Sequence, residues 1–469
     1  MTAGVVLGGR ICQSVVVTGT AAPARADRIF GPEWRPLTIG ILAVVSLVAF
    51  EAMAVATAMP IAVRELDGLR LYAWGFSAFL IASLVGMVLA GDQSDRRGPM
   101  VPFLVAVVTF GVGLVAAGVA TEMLVFVLAR AVQGFGAGLV VVVLYVVVGR
   151  TYPERMRPRV FAAMSSAWVV PAVVGPLVAG LVADHLTWRV VFLAVPPLIA
   201  PAVLLMRRRL RDIGPAGTGV TARRRVMPAL AVAVGVASLQ YAGQRLDALS
   251  LPLLLGAVGL LVRGLPRLLP RGIFRARRGL PTAVLLRGVL AGSFFGAEAF
   301  LPLMLVEERQ VPTALAGVTL TAAALSWSVG SWIQGRPTIV APREVLIRRG
   351  TGLVALGVAA LSLGLWTALP PYVAAVGWAL GGLGMGLAMS STNVVVLGLS
   401  PLHEQGFNSA ALQLSDALGS VVMVGLGGAV FAALHGPEDN TGVFLVIYAV
   451  MSAVAVAGFV VAPRVRDTH

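Results

Sequence analysis

The chain has 469 residues, of which 58% are hydrophobic and only 12% are charged. A soluble globular domain is about 45–50% apolar, so this composition excludes a soluble enzyme. A membrane-spanning helix needs about 20 apolar residues, and the chain has enough apolar side chains for about 13 or 14 such helices. The net charge of +15 would suggest nucleic-acid binding in a soluble protein, but here the arginines lie between apolar runs. We therefore expect an all-α integral membrane protein with no nucleic-acid partner.

The N-terminal segment 1–36 is predicted to be a cytoplasmic tail. Residues 11–17 form an apolar run that is short for a secretory signal, although Ala24 and Ala26 follow it. The single cysteine, Cys12, permits neither an internal disulfide nor a cysteine metal cluster. The sequence contains neither a Walker motif nor a metal-ligand cluster, so we expect no metal, no cofactor and no use of ATP.

The apolar runs predict fourteen spans with both termini cytoplasmic. Six lie in an N-terminal bundle, 37–206, two short ones lie between basic linkers in 207–282, and six lie in a C-terminal bundle, 283–462, before a cytoplasmic tail at 463–469. Cytoplasmic loops carry an excess of basic residues, and this count places most arginines on one side. If the two short runs were surface helices, twelve spans would leave the same orientation, so charge leaves that alternative open.

The two bundles begin alike. Glu51 lies in the first span ahead of Pro60, and Glu298 lies in the opening span of the second bundle ahead of Pro302. Repeated halves of this kind predict a central site near the bilayer midplane, between two bundles that rock against each other.

Three motifs occur in order on consecutive predicted helices. The segment Gly91-Asp92-Gln93-Ser94-Asp95-Arg96-Arg97-Gly98 resembles the G-x-x-x-D-R-x-G signature of the major facilitator superfamily. Arg130-Ala131-Val132-Gln133-Gly134-Phe135-Gly136 resembles its R-x-x-Q-G-x-G signature, and 171–180 resembles its antiporter motif, G-x-x-x-G-P-x-x-G. The resemblance covers nearly the whole chain, and the two extra spans are similar to those of the fourteen-helix branch of drug and proton antiporters.

This resemblance implies the major facilitator fold, with two six-helix bundles and two inserted helices. It implies a monomeric, proton-coupled transporter of the plasma or inner membrane that exports small amphipathic or cationic compounds by alternating access, hence multidrug efflux and antibiotic resistance. Its partners would be the substrate, protons and the lipid bilayer, and its energy source the proton gradient. Two alternatives stay open: a dedicated exporter of one metabolite or lipid, and a membrane sensor or assembly partner that does not transport.

The first motif predicts a conformational latch. Its candidate residues are Gly91, Asp95, Arg96 and Gly98, in which a carboxylate pairs with nearby guanidinium groups and stabilises one of the two rocking states. The family usually has basic residues after the second glycine, whereas this chain has Pro99 and Met100. We therefore expect a weaker latch, and an ordinary basic loop is the simpler interpretation.

Charged residues inside the spans are the candidates for proton coupling. A carboxylate in hydrocarbon is costly, so Glu51 is expected to face a cavity and to exchange a proton there. Arg130 is the only arginine that we place well inside a span, and the resemblance puts it near the proton site, so we predict a Glu51–Arg130 pair. Glu298 and Asp416 are the acids of the second half that titrate or attract a cation. A structural ion pair, or side chains that reach an interface, would be the alternative.

Two further groups complete the predicted site. The antiporter motif comprises Pro171, Gly175, Pro176 and Gly180, whose small residues and prolines bend the fifth span and let helices approach closely; Pro171 replaces the usual first glycine. The substrate cavity is predicted to include Gln133, Trp168, Asn393 and Gln413, with Phe161, Trp327 and Trp332 as further aromatic candidates. Ordinary helix packing is the competing interpretation for each of these.

Overall fold

The computed structural model describes residues 28–68, 71–215, 223–245, 250–311, 313–339, 341–436 and 440–466, so most of the N-terminal tail lies outside the described residues. Seventeen α-helices run in chain order: α1 Arg35–Glu65, α2 Tyr72–Arg97, α3 Met100–Gly118, α4 Met123–Thr151, α5 Arg157–Ser166, α6 Val169–His185, α7 Trp188–Leu193, α8 Val195–Arg211, α9 Arg223–Arg245, α10 Ser250–Leu268, α11 Leu280–Glu298, α12 Leu301–Glu307, α13 Thr313–Gly335, α14 Arg343–Leu361, α15 Tyr372–Leu399, α16 Gln405–Leu434 and α17 Thr441–Val461.

The helices confirm an all-helical membrane protein. In the described residues, twelve helices are long and apolar enough to cross a bilayer. A bent pair, Arg157–Ala172 with Leu177–Ala183, covers α5 and most of α6 and raises the number to thirteen. α13 has 23 residues and lies in the position of a further span. The count of fourteen spans stays a prediction.

Three predicted spans are each divided into two helices. α5 is separated from α6 by residues 167–168, α7 from α8 by Ala194, and α11 from α12 by residues 299–300. Prolines stand at the first turn of α8 and of α12, where a missing backbone N–H is tolerated. The divided helices of the fifth span and of the opening span of the second bundle place irregular backbone beside the central cavity, which the apolar pattern alone did not reveal.

Each half has its own apolar core. The first half buries, among others, Phe110, Phe126 and Trp188. The second buries Phe294 against Trp378, whose rings stack at 4.2 Å between centroids. The halves therefore form two packed bundles that meet along a seam.

The inserted helix α9 packs on that seam, and α10 packs against α9. Val232 and Val236 of α9 lie in one buried cluster with Val88 of α2, in the first half, and Leu418 of α16, in the second. The inserted pair is thus a packed part of the bundle rather than a separate appendage.

The seam is closed at one end of the bundle, which we call the basic face: the face where α2 and α4 end and α16 begins. Gln334, at the end of α13, donates a hydrogen bond to the carbonyl of Pro158 in α5 at 2.9 Å. Contacts of α2 and α4 with α16 close the same face, as described below.

Candidate transport site

The first half buries the predicted carboxylate–guanidinium pair. Arg130 of α4 donates a hydrogen bond to Glu51 of α1 at 2.5 Å, and the residues are 3% and 1% exposed. Arg130 also donates to the carbonyl of Gly75 at 3.1 Å and to the side chain of Gln133, and it lies 4.6 Å from the centre of the Phe79 ring. The second oxygen of Glu51, Oε2, accepts no hydrogen bond from a described residue.

A second ion pair, missed in the sequence, lies in the other half. Arg287 of α11 donates to Asp416 of α16 at 3.1 Å and to Asn393 of α15 at 3.0 Å. Its second terminal nitrogen reaches Gln413 at 3.4 Å. The expectation that Arg130 is the only arginine within a span is therefore wrong. Arg287 closely follows the arginines of the basic stretch 263–278 in the sequence, so its position inside α11 was not predicted.

Three of the four predicted polar residues of the second half, Asn393, Gln413 and Asp416, thus gather around one guanidinium. The network also reaches the first half, because Asn393 donates to the hydroxyl of Tyr145 in α4 at 3.5 Å.

Glu298 ends α11 and is half-buried on the wall of the central cavity. None of the hydrogen bonds or ion pairs found among the described residues engages its carboxylate. Its charge is therefore uncompensated there, in contrast to that of Asp416.

The central cavity has a volume of about 760 Å³ and lies between the two halves. Its polar wall is the second-half network, with Arg287, Asp416 and Glu298. Its apolar wall is aromatic and includes Phe161, Trp168, Phe294, Phe295 and Trp327. A cavity with these walls suits a ligand that has an aromatic or apolar body and a polar or charged group.

Two predicted cavity residues lie elsewhere. Gln133 is fully buried beside Arg130 and is absent from the cavity wall, because its side chain turns toward the first-half pair. Trp332 is 55% exposed on the outside of α13, where the guanidinium of Arg336 lies 3.6 Å from its ring centre. Val48 and Met53 line the cavity on either side of Glu51 in α1, so the buried pair lies one layer behind the wall.

The latch motif joins the two halves at the basic face. Asp95 accepts a hydrogen bond from Arg150 of α4 at 2.6 Å, and from the backbone N–H groups of Gly406 and Phe407 at 2.9 and 3.1 Å. The carboxylate thereby caps the positive N-terminus of α16, a helix of the opposite half. Arg150 also donates to the carbonyl of Leu402 at 3.4 Å.

The other latch residues have distinct roles. Gly91 lets two backbones meet, because a Cβ there would lie 2.4 Å from the carbonyl oxygen of Gly406. Gly98 has φ of +78°, which favours glycine. Arg96 pairs with Asp92 of its own helix at 3.6 Å and is absent from the contacts across the seam. Arg150, which sequence reasoning placed in a loop, therefore provides the guanidinium that was expected of Arg96.

The antiporter motif lies where α6 packs on α1. The fifth span bends by 40° between Ala172 and Leu177. A Cβ at Gly175 would lie 3.2 Å from the Cβ of Met53, two residues from Glu51. Pro171 is buried in the first turn of α6 and Gly180 is half-buried, while the side chain of Pro176 lies outside the described residues. The motif thus brings the bent span against the helix that carries the first-half acid.

Residues 39–375 match the model of the Major Facilitator Superfamily. The chain belongs to the major facilitator superfamily. It is 25% identical over 412 residues to the multidrug transporter protein MdtP of Bacillus subtilis, covering 85% of this chain and 76% of that protein. It is 24% identical to a probable multidrug-efflux transporter of Mycobacterium tuberculosis, covering 96% of this chain and 99% of that protein.

Solved structures share the fold. The human organic anion transporter MFSD10 superposes with a TM-score of 0.69 at 14% identity, covering 92% of this chain and 99% of that one. The proton:xylose symporter XylE superposes with a TM-score of 0.64 at 15% identity, covering 92% and 95%. The chain is therefore a multi-pass membrane protein of a transporter family rather than an enzyme.

Proposed function

We propose that this protein is a proton-coupled antiporter that exports amphipathic or cationic compounds by alternating access. The observation that carries the proposal is the buried Glu51–Arg130 pair one layer behind the cavity wall, combined with an uncompensated carboxylate, Glu298, on that wall. Relatives that are named multidrug transporters over most of the chain support the same substrate class.

The cavity accounts for the proposed substrates. Its aromatic side chains bind a flat or apolar body without demanding one shape, which favours a range of ligands over a single metabolite. The charges of Arg287 and Asp416 offset each other, so Glu298 gives the wall a net negative charge. A cation is therefore favoured over an anion of the same size.

The coupling step begins at Glu51. When a proton binds the carboxylate, Arg130 loses its anionic partner, and the contact between α1 and α4 weakens. Val48 and Met53 transmit this change to the wall, because they flank Glu51 on the same helix. Binding of a cation and binding of a proton then favour different arrangements of the two halves, as exchange requires.

The latch sets the two states. Asp95 and Arg150 of the first half hold the basic face closed through their contacts with the start of α16 and with the carbonyl of Leu402. Separating the halves breaks these contacts, whereas the Asp95–Arg150 pair stays within the first half. The basic face is proposed to be cytoplasmic because positively charged loops are retained on that side, which places both termini inside a fourteen-span protein of the cell membrane.

The test is flux of a lipophilic cationic dye in proteoliposomes with an imposed pH gradient. We expect the wild type to move dye against its own gradient when protons flow the other way, and Glu51→Gln to lose this coupled movement. Glu65→Gln is the matched control, because Glu65 ends the same helix with a side chain that is 48% exposed.

The results separate the possible functions. If Glu51→Gln transports as well as an active wild type does, the coupling proposal is wrong. If no dye moves but one metabolite or lipid does, the protein is a dedicated exporter. Dye binding without net flux would identify a sensor that does not transport.

A further inference from the structure

A second carboxylate lies beside the latch. Asp92 precedes Asp95 by three residues on α2, and it is 2% exposed. Neither of its oxygens accepts a hydrogen bond from a described residue, and Arg96 of the same helix approaches only to 3.6 Å. Because Arg96 is 37% exposed, it neutralises the buried charge weakly. Asp92 therefore needs further compensation.

Arg225, from the inserted helix α9, lies close to this charge. It stands in the first turn of α9, and its guanidinium lies 4.1 Å from the centre of the Phe407 ring. Asp92, Asp95 and Glu404 are near enough for their negative charges to favour the charged guanidinium, although none of these described residues forms a salt bridge with it. Arg225 therefore lies near acids of both halves. It also lies beside Phe407, whose backbone N–H donates a hydrogen bond to Asp95.

Packing holds Arg225 in this position. Ala229, Val232 and Val236 of α9 are buried against α2 and α16. At the other end of α9, Gln240 donates a hydrogen bond to Ser77 of α2. α9 is therefore anchored along its length on the seam, and its first turn cannot leave the acids unless this packing changes.

The latch motif itself lacks cations at its end, because Pro99 and Met100 follow its second glycine. We propose that Arg225 of the inserted helix α9 acts as a third arm of the latch, and that it stabilises the closed basic face by neutralising Asp92 and Asp95. The inference rests on the latch of the proposed transport cycle, and it gives the two inserted helices a role in that cycle. Arg225 is a positioning residue: it touches neither cavity nor proton pair.

The physical consequence is a bias between the two states. With the seam closed, the guanidinium of Arg225 lies over the Phe407 ring on the second half, and it is near enough to Asp92 and Asp95 on the first half for their charges to act on it. When the halves separate, Arg225 can follow only one of them. The charge attraction across the seam is then lost, so removing the guanidinium should favour the open basic face.

The experiment measures this equilibrium without substrate or proton gradient. Spin labels are placed at Glu154→Cys and Leu402→Cys, in a Cys12→Ser background, because both side chains are exposed at the basic face, one on each half. Double electron–electron resonance then gives the ratio of open to closed molecules in the full-length protein. We expect Arg225→Gln to raise that ratio about fivefold, the lower end of coupling between distant sites.

Three further variants test the mechanism. Arg263→Gln removes an exposed arginine of α10 and should leave the ratio unchanged. Arg225→Lys keeps the charge and should restore most of the closed population. In an Asp92→Asn background, Arg225→Gln should have a smaller effect than in the wild type, because the two residues act on each other.

Two results would overturn the inference. One is an unchanged ratio in a monodisperse Arg225→Gln variant; the other is an equal shift with and without Asp92. If Arg225→Gln does not fold, Arg225→Met and Arg225→Lys decide: the inference requires more open molecules in the first, which loses the charge, and near wild-type behaviour in the second, which keeps it. Loss of dye transport by Glu51→Gln plays no part in this readout, so the two proposals can fail separately.

Discussion

The two halves each bury a carboxylate–guanidinium pair, but only one pair faces the cavity. In the first half Glu51 and Arg130 have side chains that are 1% and 4% exposed, and neither lines the cavity. In the second half Asp416 is 23% exposed, and both it and Arg287 lie on the cavity wall. The same chemistry is therefore sealed in one half and accessible in the other. This asymmetry supports the proposed separation of roles, in which Glu51 of the first half binds the proton and the cavity wall of the second half binds the charged group of the substrate.

The opening helices of the two halves also differ: the helix that carries the buried acid is continuous, and the helix that carries the cavity acid is interrupted. α1 is continuous for 31 residues and passes both Glu51 and Pro60. The corresponding helix of the second half ends at Glu298, and α12 restarts with Leu301 and a proline in its first turn. A broken helix offers a carboxylate and free backbone groups to a ligand, whereas a continuous helix keeps its acid between packed neighbours.

The largest expected effect comes from removing the guanidinium of each pair in turn, which tests whether the first-half pair is the more buried of the two. Arg130→Gln leaves Glu51 buried without a partner, and breaking a buried pair costs about 3–5 kcal/mol. Arg287→Gln should cost less, because Asp416 is partly exposed and Asn393 remains nearby. We expect the larger fall of the thermal unfolding midpoint in detergent for Arg130→Gln.

The double variant Glu51→Gln/Arg130→Gln should recover much of that loss, since no unpaired charge is left. Equal falls for the two single variants would mean that the first-half pair is not sealed. A double variant as unstable as Arg130→Gln would show that packing, and not charge, explains the loss.

The next largest effect is expected from overpacking the contact between α2 and α16 at the seam between the halves. In Gly91→Ala the new Cβ would meet the backbone carbonyl of Gly406 at 2.4 Å, and backbone cannot yield as a flexible side chain can. Overpacking of this kind costs about 1–3 kcal/mol, so we expect the open basic face to gain about five- to 150-fold in population. The spin-label distance at the basic face measures the shift. Gly398→Ala is the control, since a Cβ there meets nothing within 4 Å; similar spectra for the two variants would refute the close approach.

A smaller effect is expected from the unpaired acid of the cavity. Glu298→Gln removes the net negative charge of the wall, and one such charge contributes about 1 kcal/mol in a wet cavity, or about fivefold in affinity. Affinity for a lipophilic cation should fall by that factor, and affinity for a neutral dye of similar size should not change. Fluorescence titration measures both, with Glu122→Gln on the surface as the control. A parallel fall for the cation and the neutral dye would mean that Glu298 shapes the cavity rather than its charge.

The sequence predicted most of the helices and half of the charged site. Span positions followed from apolar runs because bilayer thickness determines helix length. The Glu51–Arg130 pair was predicted because charges are rare inside spans and because the resemblance to the superfamily puts Arg130 near the proton site. Arg287 was missed because it follows directly on the basic stretch 263–278, so its charge was read as part of a loop.

Contacts across the seam were beyond sequence reasoning. Asp95 caps the N-terminus of α16 at Gly406, which is 311 residues away in the sequence, and no local pattern predicts which helix N-terminus this carboxylate contacts. Arg150 and Arg225 look like ordinary basic residues of the inner side, since only tertiary packing brings them to the same acids. The break between α11 and α12 could not be predicted either, because an apolar run has the same pattern whether the helix is continuous or not.

The smallest expected effect concerns the packing of α6 against α1, the helix that carries Glu51. In Gly175→Ala a Cβ would lie 3.2 Å from the Cβ of Met53, so α1 and α6 must separate by only a few tenths of an ångström. We expect a loss of stability of about 1 kcal/mol, at the low end for overpacking, and weakened but measurable proton-coupled dye flux. Gly425→Ala, where a Cβ meets nothing within 4 Å, is the matched control in the second half. If Gly175→Ala abolished coupling as completely as Glu51→Gln, the packing of α6 on α1 would be part of the proton-coupling step itself, and the sealed pair would depend on this contact as much as on its own charges.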